Sequence, residues 1–145
     1  MRTYQLYLID EEFASHYFGK ERLFYQLFKE YDEAAGELKH IIKKQIDFIT
    51  KPINSFRIQH YLQHNLQKYM SFQHKNGKYY LEAGKKSRAE LEIKNHSIIL
   101  KSNGQFDAET VFFEVLRKAE SSFLAIDIEN QHCGWLKPIK ERKFI

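Results

Sequence analysis

Polar and apolar positions alternate at the start of the chain and then change to helical spacing. Residues 4–8 alternate in this way and predict a first strand that ends at Asp10. Asp10 is expected to cap an aromatic helical region over residues 11–31, because an aspartate side chain accepts hydrogen bonds from the free amides of a first helical turn. Gly19 lies inside this region, at a point where the helix can break or bend.

Two further helices are predicted before the middle of the chain. The apolar positions of the first recur at helical spacing and stop before Pro52. They are Leu38, Ile41, Ile42, Ile46 and Ile49. The second helix is indicated by a similar set, namely Ile58, Tyr61, Leu62, Leu66 and Tyr69.

The second half of the chain changes character. Residues 90–94 alternate, and an Asn95-His96 turn leads into residues 97–101, so a β-hairpin is predicted. Asp107 is expected to cap the next helix, over residues 107–119. The apolar stripe of that helix is regular and consists of Ala108, Val111, Phe112, Val115, Leu116 and Ala119.

The chain then predicts a central strand and one more extended segment. Residues 123–128 are apolar except for Asp127, which is typical of a strand covered on both faces. An extended segment through Trp135 is expected to follow. The order of strand, helices, hairpin, helix and strand predicts an α/β fold, a single domain over residues 1–145 with helices packed on a small mixed β-sheet.

The aromatic residues between Glu11 and Tyr31 are too widely spread around a helix to share one buried face. Seven of them lie there, and with their leucine neighbours they span about twice the arc of roughly 100° that a surface helix buries. Aromatic surface left over in this way usually contacts a partner. Phe13 and Tyr17 lie one turn apart and would project together, although core positions for both are equally compatible with the sequence.

Gln45 interrupts the apolar stripe of the helix over residues 38–49. A glutamine in that position is either hydrogen-bonded within the fold or marks a place where the stripe faces something other than the core. The sequence leaves both interpretations open.

The charge of the chain raises the alternative of nucleic-acid binding. The 145 residues carry a net charge of +4, with basic groups at Lys85, Lys86 and Arg88 and in the tail after Trp135. Acidic residues are interspersed among most of these groups, so a solvated basic face explains the excess better than nucleic-acid binding does, and an acidic protein partner would use the same excess. Direct DNA binding is the alternative hypothesis, and no direct nucleic-acid contact is our first expectation.

Motifs for catalysis or cofactor binding are not recognisable. The glycines are isolated, whereas phosphate-binding loops need them clustered. His60 and His64 are spaced for one helix face but have no glutamate between them, and His132 and Cys133 have no further ligand nearby. Asp127 is explained better by a loop cap or an ion pair than by catalysis. We therefore expect no enzyme, no metal and no cofactor.

Cys133 is the single cysteine, which excludes an internal disulfide and suits a reducing compartment. The apolar run at the N-terminus is too short for a signal peptide, and no run approaches the length of a membrane helix. A cytoplasmic protein without membrane contact is expected.

Three segments resemble the SirA family, the sporulation inhibitors of replication. They are "EEFASHYFGKERLF" near the start, and "ETVFFEVLRKAESSFLAIDI" and "GWLKPIKERKF" near the end, with a moderate resemblance in "KQIDFITKPI". Residues 69–102 carry little that is diagnostic. Members of this family are not enzymes, and the resemblance implies a regulator of chromosome replication.

The resemblance further implies a partner and a set of contact residues. The expected partner is domain I of the initiator DnaA, bound during sporulation by a monomer that forms a 1:1 heterodimer. The family's contact positions correspond here to Phe13 and Tyr17 as anchors and Gln45 as a polar contact. The fourth position is Pro138, which either shapes the adjoining tail or lies at the rim. Departures at Ser15 and at residues 31–40 concern the edges of this surface.

Overall fold

The computed structural model describes residues 1–137, so Pro138 lies outside the described residues. The helices are α1 (Glu11–His16), α2 (Glu21–Glu33), α3 (Gly36–Ile49), α4 (Ser55–Leu66) and α5 (Asp107–Ala119). The strands are β1 (Arg2–Ile9), β2 (Thr50–Lys51), β3 (Gln73–Lys75), β4 (Lys78–Glu82), β5 (Ser87–Ile93), β6 (Ile98–Gly104), β7 (Phe123–Asp127) and β8 (His132–Trp135).

The strands form one sheet in the order β3-β4-β5-β6-β1-β7-β8, with β2 paired to the end of β1. The α/β class with helices on a sheet is confirmed, but the expectation of a mixed sheet is wrong, because every strand pair within residues 1–137 is antiparallel. The reason is the position of β1. The crossover through α5 leaves β6 and β7 parallel to each other, but β1 lies between them and runs opposite to both.

Alternating side chains of the sheet support a separate core on each face. On the first face, α4 and α5 cover β4, β5, β6, β1 and β7, and Leu91, Leu100, Phe112 and Leu116 are fully buried there. On the second face, α1, α2 and α3 cover only β1, β7 and β8. The second face of β4, β5 and β6 therefore remains open and polar.

The predicted start of the aromatic helical region is confirmed. The Asp10 carboxylate accepts a hydrogen bond from the Glu12 backbone N–H at 3.0 Å. The region is broken where Gly19 was expected to break it, since Gly19 has a φ of 78° and separates α1 from α2. A glycine is favoured there because left-handed backbone costs it little.

The expected cap of α5 is wrong. Asp107 is the first residue of the helix, and the capping position is occupied by Phe106, which makes no side-chain cap bond. The Ala108 backbone N–H instead donates to the hydroxyl of Ser87, on β5, at 2.8 Å. This cap comes from a residue 21 positions away, so local spacing could not reveal it.

Candidate functional site

Helix α3 carries an exposed apolar stripe beside the stripe that it buries. Leu38, Ile41 and Phe48 are 59%, 47% and 74% exposed. Gln45, also exposed, lies between the last two. The spacing of three, four and three residues places all four side chains on one face of the helix. Single exposed apolar residues are ordinary, but an aligned set on one helix face is typical of a contact surface.

The buried stripe of α3 explains why the exposed one cannot turn inward. Ile42 and Ile46 are each 5% exposed and pack with Phe24 and Phe28 of α2 against the second face of the sheet. A helix can turn only one such arc toward the sheet. The side chains about 90° away are consequently held at the surface.

Phe13 and Tyr17 lie at the border between this core and solvent. Both are half-buried and pack against the core of the second face. The Phe13 ring makes an edge contact with Phe48, with ring centroids 5.4 Å apart. The Tyr17 ring makes a similar contact with Phe24 at 5.7 Å. Each ring therefore has one side supported by the protein and another available to a partner.

These residues of α1, its C-terminal cap and α3 together form one patch, which we call the α1–α3 surface. It consists of Phe13, Tyr17, Leu38, Ile41, Gln45 and Phe48. The structure thus brings three of the four sequence-predicted contact residues to one surface, and the fourth, Pro138, is beyond the described residues. Sequence reasoning missed Phe48, although its position seven residues after Ile41 and three after Gln45 was a usable signal.

Two further apolar side chains are exposed on α2 and in the turn before it. Phe18 is 44% exposed and Leu23 is 55% exposed. Of the aromatic residues in the region over residues 11–31, Phe18 is thus exposed, whereas Tyr25 is buried in the second-face core. Tyr25 reaches this core because the break at Gly19 gives α2 a new orientation relative to α1.

The remaining reactive side chains have structural surroundings. Asp127 is buried, and its carboxylate accepts hydrogen bonds from the backbone and side-chain amides of Asn130 at 3.1 and 2.8 Å, which makes it a loop cap. The rings of His60 and His64 stack 6.1 Å apart on α4. Within residues 1–137, no group of three or more His, Cys, Asp or Glu side chains could hold a metal ion.

Cys133 is half-buried on β8, where its thiol lies 3.9 Å from the backbone carbonyl of Glu21. Burial, and secondarily the negative charge of Glu21, raises the pKa of the Cys133 thiol to about 11. A thiol is a poor nucleophile when so little of it is thiolate. This cysteine therefore serves packing rather than chemistry.

The basic residues of the open sheet face are paired with acidic ones across the strands. Arg88 lies opposite Glu82, and Lys101 lies opposite Glu90. This alternation reduces the attraction of the face for phosphates. None of the helices described for residues 1–137 has the length and apolar character needed to cross a membrane.

An exposed apolar helix surface with a central polar side chain is typical of a protein-binding module. The family model described as "Sporulation inhibitor of replication protein SirA" matches residues 2–140. A protein of that same name from Bacillus subtilis (strain 168) is 40% identical over 147 aligned positions, which cover 99% of each chain. The chain belongs to the SirA family, and the resemblance seen in its sequence is confirmed.

Proposed function

We propose that this chain inhibits the initiation of chromosome replication by binding domain I of DnaA through the α1–α3 surface. The single observation that carries the proposal is the exposed stripe of α3, which the Phe13–Phe48 contact joins to the aromatic pair of α1. The family supports inhibition of replication as the outcome, since its members are named for it.

The physical basis of binding is the burial of this apolar surface. Removing a phenylalanine or leucine side chain from water contributes roughly 1.5–3 kcal/mol when burial is complete. The half-buried rings of Phe13 and Tyr17 lose little conformational freedom on binding, because the second-face core already supports them. They would therefore act as rigid anchors, and Phe48 would complete the apolar centre.

Gln45 supplies the polar element of the surface. It is exposed between Ile41 and Phe48, so a partner that covers the stripe must also offer its amide a hydrogen-bond group. A partner lacking such a group would pay about 1–3 kcal/mol for the buried amide. Gln45 would thus contribute discrimination between partners, and the family correspondence makes Pro138 a further contact residue.

The mechanism follows from occupation of a surface rather than from chemistry on a substrate. One monomer bound to one domain I in a 1:1 complex would cover an area that DnaA uses for self-assembly or for recruiting replication proteins. A standard interface of about 1,600 Å² in total is enough for a specific complex.

The test is a calorimetric titration of the full chain with isolated DnaA domain I. Phe13→Ala and Tyr17→Ala should each weaken binding by about 2 kcal/mol, or about 30-fold, as expected for central aromatic anchors. Phe56→Ala is the matched control, because Phe56 is 84% exposed on α4, which packs on the first face of the sheet. Absence of binding by the unaltered chain, or equal losses in all three variants, would refute the proposal.

The DNA-binding alternative makes a separate prediction. Phosphate contacts would give an affinity for any duplex that falls steeply as salt is raised. A gel shift with non-specific DNA at moderate salt tests this directly, and the pairing of Arg88 with Glu82 and of Lys101 with Glu90 leads us to expect no shift.

A further inference from the structure

Glu21 connects three parts of the second face that are distant in sequence. Its carboxylate oxygen Oε1 accepts a hydrogen bond from the Gly19 backbone N–H at 3.2 Å and from the Trp135 indole N–H at 3.1 Å. Gly19 is the left-handed residue between α1 and α2, and Trp135 lies on the last described strand, β8. One carboxylate oxygen therefore links the break between the two helices to the edge of the sheet.

A chain of ring contacts runs alongside this link. Tyr17 contacts Phe24 edge-on at 5.7 Å, and Phe24 contacts Trp135 edge-on at 5.9 Å. The Cys133 thiol also lies near the Glu21 carbonyl at 3.9 Å. The start of α2 is thus held against β8 by both polar and aromatic contacts, and Tyr17 stands at the outer end of the aromatic series.

The carboxylate is held in its charged form. Partial burial by itself raises the pKa of Glu21, but hydrogen bonds from its own backbone N–H, the Trp135 indole and the Gly19 amide together outweigh burial and lower the pKa below its usual value. Hydrogen bonds to an ionised acceptor are roughly twice as strong as neutral ones.

We infer that Glu21 is a positioning residue of the α1–α3 surface, which fixes the break at Gly19 and thereby the Tyr17 ring, without itself serving as a contact for the partner. This inference rests on the proposed function for its binding readout, and on the Gly19–Glu21–Trp135 hydrogen bonds for its geometry. Without the carboxylate, the turn at Gly19 is no longer linked to Trp135 on β8, so the Tyr17 ring is held less firmly beside Phe13.

The experiment compares Glu21→Ala, Glu21→Gln and Glu30→Ala in the full chain. Glu30→Ala is the control, because Glu30 is an exposed glutamate of the same helix. Glutamine keeps an oxygen that accepts both N–H bonds, so Glu21→Gln should retain most of the affinity for DnaA domain I. Glu21→Ala should lower that affinity about tenfold, in line with the loss of two hydrogen bonds.

Two further readouts use the unbound protein and do not depend on DnaA. Trp135 is the only tryptophan, so its fluorescence emission reports the indole environment directly. Glu21→Ala should shift that emission and speed hydrogen exchange at the Gly19 amide, while Glu21→Gln and Glu30→Ala should change neither substantially. All binding is measured well below each variant's melting temperature, with the folded fraction checked by circular dichroism.

The outcomes separate the two proposals. If domain I does not bind the unaltered chain but Glu21→Ala shifts the emission and the exchange, the proposed function fails and the positioning of the break at Gly19 is supported. If the unaltered chain binds and Glu21→Ala changes neither affinity nor emission, the inference about Glu21 is overturned. Equal losses of affinity in the alanine and glutamine variants would also overturn it, because the hydrogen-bond acceptor would then be irrelevant.

Discussion

The ring of Phe13 lies edge-on to the ring of Phe48, with centroids 5.4 Å apart and planes at 66°, and this contact joins α1 to α3. Edge-to-face aromatic pairs contribute about 0.5–1.5 kcal/mol beyond the area they bury. Phe48 is nevertheless 74% exposed, so most of its surface takes no part in the fold. The pair thus combines a supported ring with a free one at the centre of the α1–α3 surface.

Replacing Phe48 by alanine should separate binding from folding. Phe48→Ala removes a largely exposed ring and should weaken binding to DnaA domain I by about 2 kcal/mol, which corresponds to about 30-fold in affinity. The melting temperature should fall by only a few degrees, because little more than the edge contact with Phe13 is lost. Calorimetric titration and a thermal melt measure the two quantities.

The matched control for this change is again Phe56→Ala. Phe56 is 84% exposed on α4 and should tolerate alanine without loss of affinity or stability. A Phe48→Ala variant that binds domain I as tightly as the unaltered chain would remove the exposed stripe of α3 from the proposed interface.

Elements with strong local patterns were predictable from the sequence, and elements set by distant contacts were not. The stripe of α5 and the hairpin between β5 and β6 are regular enough that neighbouring residues alone determine them. The insertion of β1 between β6 and β7 depends on pairing between residues far apart in the chain. The antiparallel arrangement of the sheet therefore could not be predicted from local sequence patterns. The cap of Ala108 by Ser87 is long-range for the same reason.

The candidate site likewise contains residues that local spacing predicts and residues whose exposure depends on distant contacts. Phe13 and Tyr17 stood out because one turn separates them, but their half-buried state depends on α2 and α3, which no local pattern describes. Gln45 left two interpretations open, and its exposure in the structure favours the one in which the stripe faces away from the core. Phe48 was missed because it lies outside the apolar positions that predicted α3.

Alanine substitution in the buried face of α5 should lower the stability of the fold, whereas substitution in the α1–α3 surface should mainly lower affinity. Leu116 is fully buried between α5 and the first face of the sheet, so Leu116→Ala leaves a cavity and should lower the free energy of unfolding by roughly 2–5 kcal/mol. Urea denaturation measures this loss. Lys118→Ala, an exposed change in the same helix, should stay within about 0.5 kcal/mol of the unaltered chain.

The affinity of the Leu116→Ala variant for domain I would further distinguish α5 from the α1–α3 surface. Under conditions where the Leu116→Ala variant is still folded, it should bind domain I nearly as tightly as the unaltered chain, because α5 lies on the other face of the sheet from α1 and α3. A loss of unfolding free energy below about 1 kcal/mol would contradict the burial of this leucine.

An ion pair between Arg2 and the buried carboxylate of Glu109 ties the first strand to α5. The Arg2 guanidinium donates to Glu109 Oε1 at 2.7 Å, Ser102 donates to the same oxygen at 3.0 Å, and the carboxylate is only 2% exposed. Arg2→Met leaves this buried charge without its cation and should cost about 3–5 kcal/mol of unfolding free energy. Chemical denaturation at neutral pH measures the cost.

A double variant tests whether the penalty comes from the orphaned charge. Replacing both partners, with Arg2→Met and Glu109→Leu together, should recover much of the stability lost in Arg2→Met alone, since apolar residues often replace buried ion pairs at little cost. If the double variant is as unstable as the sum of the two single variants, the pair would not act as a unit.

The Cys133 thiol should react slowly with alkylating and disulfide reagents at moderate pH. Burial and the neighbouring Glu21 charge raise its pKa from 9.0 to about 11, so only about 0.1% is thiolate at pH 8. The modification rate of the folded protein should rise about tenfold per pH unit until pH approaches 11, whereas that of an unfolded control should level off near pH 9.

Because the folded state holds this proton more tightly, the thiol stabilises the fold below about pH 9, and its contribution declines as pH rises toward 11. A folded protein that reacts as fast as its urea-unfolded control at pH 8 would contradict the buried position of Cys133 on β8.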